Sequence, residues 1–475
     1  MSQAEAWTSE GSNQAARDPE VTRALAHFVA GMTADAVTPR MAGILKDAVT
    51  DSVGCAMFGM TTLPCRVVAK HVREQGGAPQ ASLWGHPDRL PMEQAALANG
   101  VAIHAFDFDD HSRAKIHPGA VVLPAAFAAA EYERCDGRTL LAAVAAGYEV
   151  MNRISLAAGP NAARTKGWHL TGTTGTFAAA AAASVVFRLD PEATASAFGI
   201  AGSHSAGTWA FNAEGAMTKR LHPGLAAMGG LRAALLARRG FFGGYSVLEY
   251  EDGGFLKIAS DTARPEDILR DLGTIWRAEG ACFKPYACCG SNHACVDAAL
   301  EMRAEYGIEP ADIERIVIGV SRVVLLQTGF PYRRTTVLNA QMSVRYNVAV
   351  ALTDGAALVE QFAEDRLDDP RINALIERTE VEVDPEMDAV YPARYAGIVT
   401  LHLKGAQSIT RRVDYSRGMP ENPMTAEEIT AKFRSLTQQL EPERAADLLR
   451  ATREVFDAPD VAEAIDRFRM PPWSV

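Results

Sequence analysis

The feature that most constrains this chain is the run TFAAAAAASVVF at 176–187. A helix apolar nearly all round must be buried on most sides, and small side chains such as Ala178–Ala183 let neighbouring helix axes approach closely. Arg188 closes the run well short of the roughly 20 residues a membrane span requires. The expected place for this segment is the centre of a helical bundle. Segments 140–154 and 224–239 share the Ala- and Leu-rich texture, with Gly or Pro between segments, from about residue 21 to residue 272.

After residue 272 the pattern changes. IERIVIGV at 313–320, the short run 381–384 and IVTLHL at 398–403 are β-branched with partial alternation, interleaved with helical stretches at 291–306 and 340–358. This part reads as mixed α and β. From Pro423 the helical pattern returns: Thr425 with Glu428 fits a capping box, and Ile429, Phe433 and Leu436 follow at helical spacing. The predicted fold is mainly α, with an all-helical domain from both chain ends (21–272 and 411–475), an α+β domain at 273–410, and a disordered tail at 1–20.

A chain of 475 residues has ample core for such a division, and an apolar fraction of 48% against 22% charged excludes wholesale disorder. The net charge of −11 argues against binding nucleic acid or anionic lipid, so an acidic ligand must find a local basic pocket. Seven cysteines without an export signal suggest reduced thiols and a cytoplasmic protein. No HExxH, GxxxxGK[ST], strand-linked GxGxxG, GxSxG or paired CxxC pattern occurs, which lowers the prior for metal hydrolysis, nucleotide hydrolysis and serine esterase chemistry.

Five polar clusters remain. HAFDFDDH at 104–111 followed by His117-Pro118-Gly119 places three carboxylates and three imidazoles within fourteen residues, suited to acid–base work or to capping by Asp109 or Asp110. His169, Thr171, Thr173 and Thr174 stand at a helix start, where hydroxyls and free N–H groups either hold a carboxylate or cap the helix. Lys219, Arg220 and His222 suit capture of a multiply charged anion or form a solvated loop. Lys284, Cys288, Cys289 and His293 offer either an activated thiol or inert packing. Tyr346, after Ser343 and Arg345, is either a phenolic acid or a packing residue. Together the clusters suit proton abstraction beside a carboxylate, the step shared by eliminations, decarboxylations and epimerisations of polycarboxylic acids.

The stretches HAFDFDDH…HPG, GWHLTGTTGTFAAAAAA, TKRLHPGLAAMGGLRAALLARRGFFGG, KPYACCGSNHACVDAAL, MSVRYNVAVAL and GMPENPMTAEEITAKF resemble, in order, the MmgE/PrpD family, across roughly residues 25–440. That family includes 2-methylcitrate dehydratase, cis-aconitate decarboxylase and iminodisuccinate epimerase. The resemblance implies a helical domain with a smaller α+β lid, a homodimer, and an interdomain site without metal or organic cofactor. It implies catalytic positions at Asp107, His117, His169, Lys219 and Tyr346, with Cys289 as a further candidate. His111, Thr171, Arg220, His222 and Lys284 are the expected substrate contacts.

Two positions depart from the decarboxylase pattern: His111 stands where those enzymes carry Thr, and Cys289 where they carry a site histidine. The missing imidazole at 289 argues against itaconate formation, although a Cys-Cys pair occurs in many other members. Three function classes follow: a lyase on a di- or tricarboxylate such as 2-methylcitrate or cis-aconitate, an epimerase of a dicarboxylate such as iminodisuccinate, and a non-catalytic carboxylate-binding protein.

Overall fold

The computed structural model describes residues 20–470, so all but the last residue of the expected tail lies outside it. The fold is mainly α. Helix Leu170–Val186 contains the alanine run and is buried along its whole length. It is packed by helices Gly119–Glu133, Gly137–Ala157, Pro191–Gly202 and Thr218–Arg238. The close approach depends on glycine: a Cβ at Gly230 would lie 2.3 Å from the Thr176 carbonyl oxygen, and one at Gly224 would lie 2.3 Å from that of Leu97. Neither contact is sterically tolerable, so both positions exclude every larger residue. Side-chain caps fix the helix starts, with Thr38, Asp136 and Asp190 accepting from the N–H groups of Met41, Thr139 and Ala193.

The α+β part is built on a four-stranded sheet. Strand Ile313–Val320 pairs in parallel with Thr379–Val383 and antiparallel with Gly397–Leu403, which in turn pairs antiparallel with Ser408–Val413. Ile313, Ile316, Ile318 and Val320 are buried while Glu314 and Arg315 face solvent. Helix His293–Tyr306 covers the sheet, and helix Val344–Asp354 packs on that helix. The helical stretch expected at 340–358 divides in two, Val337–Met342 and Val344–Asp354, because Ser343 leaves helical geometry and caps the second piece through its Oγ.

The chain end returns to the helical layer. Helix Ala426–Leu436 opens with the reciprocal Thr425–Glu428 box and buries Ile429, Phe433 and Leu436 against helix Pro39–Gly59. Its Lys432 ammonium lies 2.6 Å from Asp51 Oδ1 and donates to the Phe108 carbonyl at 2.6 Å, bracing the 104–118 loop from beneath. Among the described residues, no single helix is long and apolar enough to cross a membrane.

Candidate active site

The loop between helices Met92–Ile103 and Gly119–Glu133 carries most of the site. A 3-10 turn spans His104–Phe106, and Asp107 then reverses the chain in left-handed geometry (φ 54°). His111 and Ser112 form a short antiparallel ladder with Cys282 and Ala281, which ties this loop to the segment leading into the sheet. The two adjacent aspartates divide their work. Asp110 accepts the Gly119 N–H at 2.9 Å and the Tyr148 hydroxyl at 3.0 Å, serving the start of the helix. Asp109 instead meets His104 Nδ1 at 3.0 Å and His117 Nδ1 at 3.3 Å.

The two carboxyls are shifted in opposite directions. Burial, reinforced by Asp109 and Asp51, pushes the Asp110 carboxyl well above the ordinary range. Burial acts the same way on Asp109, but the His104 and His117 imidazoles outweigh it and hold Asp109 well below that range. Asp107 is also buried, yet Lys219 at 2.9 Å and Lys284 at 2.7 Å from its Oδ1 keep it ionised. Lys284 donates additionally to the Asp107 carbonyl at 2.7 Å.

The histidines are held neutral. Burial pulls His104 down to about 3 even though Asp109 opposes it. Its Nδ1 faces that carboxylate while Nε2 lies 3.2 Å from the Lys219 ammonium, an arrangement that requires an Nδ1–H tautomer with a bare Nε2. His117 is lowered by burial as well, with Asp109 opposing. Its Nδ1 donates to the Asp110 carbonyl at 3.0 Å, leaving Nε2 as an acceptor 3.8 Å from Asp107 Oδ1. His169 is pushed well down by burial, then by Lys219 and His222, and sits as the N-cap residue of helix Leu170–Val186. The positive end of that helix adds to the preference for a neutral ring. His169 Nδ1 is 2.9 Å from His222 Nδ1, so one ring donates and the other accepts. The His104 ring neighbours both candidate bases, its centroid 4.4 Å from that of His117 and 6.2 Å from that of His169.

One cleft of about 70 Å³ is lined from the helical side by Asp107, His111, His117, His169 and Lys219, and from the other side by Lys284 and Cys289. The Cys289 thiol accepts a hydrogen bond from Gln327 Nε2 at 3.5 Å. His104, Asp107, Asp109 and His117 also offer ligand atoms within 4.8 Å of one another. Two ammonium groups already supply the positive charge there, and they contact the carboxylate oxygen that a cation would need.

Several sequence expectations are corrected. Tyr346 does not line the cleft: its hydroxyl donates to the carbonyls of Gln361 (2.8 Å) and Arg366 (3.3 Å), inside the α+β part among Tyr332 and Phe362. Arg220 is buried but bonds the Ala105 carbonyl and Gln341 Oε1, facing a separate groove. Thr171 accepts the His117 N–H at 3.2 Å, and His222 backs His169; both support side chains of the cleft without lining it. Thr173 and Thr174 lie within the helix and donate to the Leu170 carbonyl instead of capping. Cys288 is buried away from the lining, and burial raises its thiol well above the usual value. Sequence reasoning assigned no role to His104, whose signal was present in the histidine–aspartate cluster, nor to Lys115, Arg164, Trp209 or Gln327, which carry no motif.

With this geometry in place, comparison with known proteins identifies the lineage. The chain belongs to the MmgE/PrpD family: residues 23–267 match the MmgE/PrpD N-terminal domain and residues 286–458 the MmgE/PrpD C-terminal domain. The cis-aconitate decarboxylase of Homo sapiens is 30% identical over 451 residues, covering 93% of this chain and 92% of the relative. The enzyme of that name from Aspergillus terreus is 30% identical over 440 residues, covering 88% and 89%. The cis-aconitate decarboxylase-like protein oryM of Aspergillus oryzae is 29% identical over 468 residues, covering 94% and 96%.

Proposed function

We propose that this protein is a lyase that removes CO2 or water from a small di- or tricarboxylic acid, such as cis-aconitate or 2-methylcitrate, by proton transfer next to a carboxylate. The observation that carries this reading is the meeting of two neutral imidazoles, His117 and His169, with the Lys219 ammonium in one cleft. The names and near-complete coverage of the relatives support the same reaction class.

Each group has a role fitted to its partners. Lys219, on the cleft wall with Asp107 beside it, holds a substrate carboxylate and takes up the charge that develops on it when the adjacent carbon loses a proton or CO2. His117, with Nδ1 committed to the Asp110 carbonyl, presents Nε2 as the base. His169 exchanges its proton with His222 through their shared Nδ1 contact and delivers one from its other nitrogen. In a dehydration His117 takes the carbon-bound proton and His169 protonates the departing hydroxyl. In a decarboxylation the C–C bond to one carboxylate breaks, its electron pair stays on carbon, and one proton is delivered to the resulting carbanion. Asp107 keeps the paired lysines charged.

Incubation with cis-aconitate, 2-methylcitrate and citrate, followed by alkene absorbance and CO2 release, tests the proposal. Turnover of at least one is expected; none on any of the three overturns it. Deuterium exchange at the α-carbon of iminodisuccinate without elimination would assign an epimerase instead, with Cys289 or His111 of the same cleft as the additional base.

A further inference from the structure

The cleft has a second cationic wall that the proposed chemistry does not use. Lys115 reaches it from the turn after the His111–Ser112 ladder, and Arg164 from the last turn of the short helix Pro160–Thr165. Lys115 Nζ, Arg164 Nε and Trp209 Nε1 are all buried and have no hydrogen-bond partner among the described residues. Their remaining contacts are with aromatic faces: Lys115 Nζ lies 5.4 Å from the Tyr391 ring centroid and 5.9 Å from that of Tyr395, and the Arg164 guanidinium stacks 3.7 Å over Trp209.

The contrast with the other cationic wall is informative. Lys219 and Lys284 share the Asp107 carboxylate, whereas neither Lys115 nor Arg164 makes an ion pair with any described acidic group. Buried charges and donors that lack partners are strongly disfavoured unless a ligand completes them. The backbone adds a cost at the same residue, since Lys115 sits at φ 60°, in a turn position where glycine or asparagine is favoured. A set of groups that donates only, carries two positive charges and faces a cavity is complementary to a carboxylate.

We propose that Lys115 and Arg164, with Trp209, form a distal subsite that binds a substrate carboxylate remote from the reacting carbon and selects tricarboxylates over dicarboxylates. This inference rests on the polycarboxylate reading of the cleft. Within it, Lys219 holds the carboxylate next to the chemistry, and the Lys115–Arg164 wall fixes the far end of the molecule, so that the reacting carbon is presented to His117 and His169 in one orientation.

The test is calorimetric titration at pH 7 with tricarballylate, which has three carboxylates and no leaving group or reactive double bond, and with glutarate, which has two. The wild-type protein is expected to prefer tricarballylate. Lys115→Met and Arg164→Gln should each weaken its binding about tenfold or more, the usual effect of losing a charge-assisted bond, and change glutarate binding less than about threefold. Arg164→Lys should retain most of the preference, and melting curves of the unliganded variants identify any that misfold. Wild-type affinity for tricarballylate in both charge-removing variants would overturn the subsite and leave the proposed function standing, and equal losses for both acids would also overturn it. A wild-type protein that binds neither acid would remove the polycarboxylate reading and the subsite together.

Discussion

Replacing Asp107 by Asn isolates one charge at the centre of the site. The two side chains are nearly isosteric, and Asn tolerates the left-handed backbone at this position at least as well as Asp. The loss is therefore electrostatic: Lys219 and Lys284, both buried, keep their positions but lose the carboxylate they share. Breaking a buried ion pair by removing one partner costs about 3–5 kcal/mol. The unfolding entropy of a chain of this length is about 1 kcal/mol/K, so the melting temperature should fall by about 3–5 °C. Because the Asp107 pKa is depressed in the fold, its contribution is fully present above the unfolded value of about 3.9 and is lost as pH falls below that toward the folded value. The difference between wild type and variant should thus be constant from pH 7 to pH 5 and shrink below about pH 4. A polycarboxylate should restore more stability to the variant than to the wild type, since it supplies the missing negative charge. Scanning calorimetry across pH, with and without tricarballylate, measures all three effects. An Asp107→Asn protein that melts with the wild type at pH 7 and gains nothing extra from the ligand would refute the idea that Asp107 compensates the paired lysines.

Other expectations follow from the same geometry. Lys219→Ala should raise KM for the substrate about tenfold or more, and His169→Ala should lower kcat about a hundredfold or more with a smaller change in KM; steady-state kinetics separates the two. Tyr346→Phe removes the donor to two partly buried carbonyls and should cost about 1–2 kcal/mol in denaturant titrations with unchanged kcat/KM per folded molecule. Lost turnover at full stability would instead return Tyr346 to the chemistry. Burial brings the Lys115 ammonium down to about 8, with Arg164, Cys289, Tyr391 and Tyr395 facing it. Tricarballylate affinity should therefore decline as pH rises through about 8, and Lys115→Met should lack that decline.

What could be read from the sequence was what composition and local spacing decide. The alanine run had to be central because it has no polar face, and it is buried along its whole length. The strand at Ile313–Val320 and the Thr425–Glu428 box were legible because their patterns are satisfied within a few residues. The role of His104 was not legible, because it depends on the left-handed turn at Asp107 that folds Asp109 back against the ring. The His169–His222 contact depends on how helices Leu170–Val186 and Thr218–Arg238 pack, which no spacing along one helix encodes. Lys115 and Arg164 sit on a turn and a six-residue helix with no periodic pattern, and their significance lies in partners they lack. Tyr346 misled for the converse reason: its place near the start of a helix was visible, but the carbonyls that engage it come from residues further along the chain.

The 104–118 loop is secured by a strand and side chains contributed from the middle and from the last tenth of the polypeptide. Cys282 and Lys284 reach it from one direction, and Lys432 from another some 150 residues later. During synthesis, a ribosome that has exposed only the first half has made this loop without its Cys282, Lys284 and Lys432 partners. Fragments ending before Lys284 should be silent toward the substrate, and complementation between separately expressed halves should revive activity only where the missing lysines are delivered to the loop.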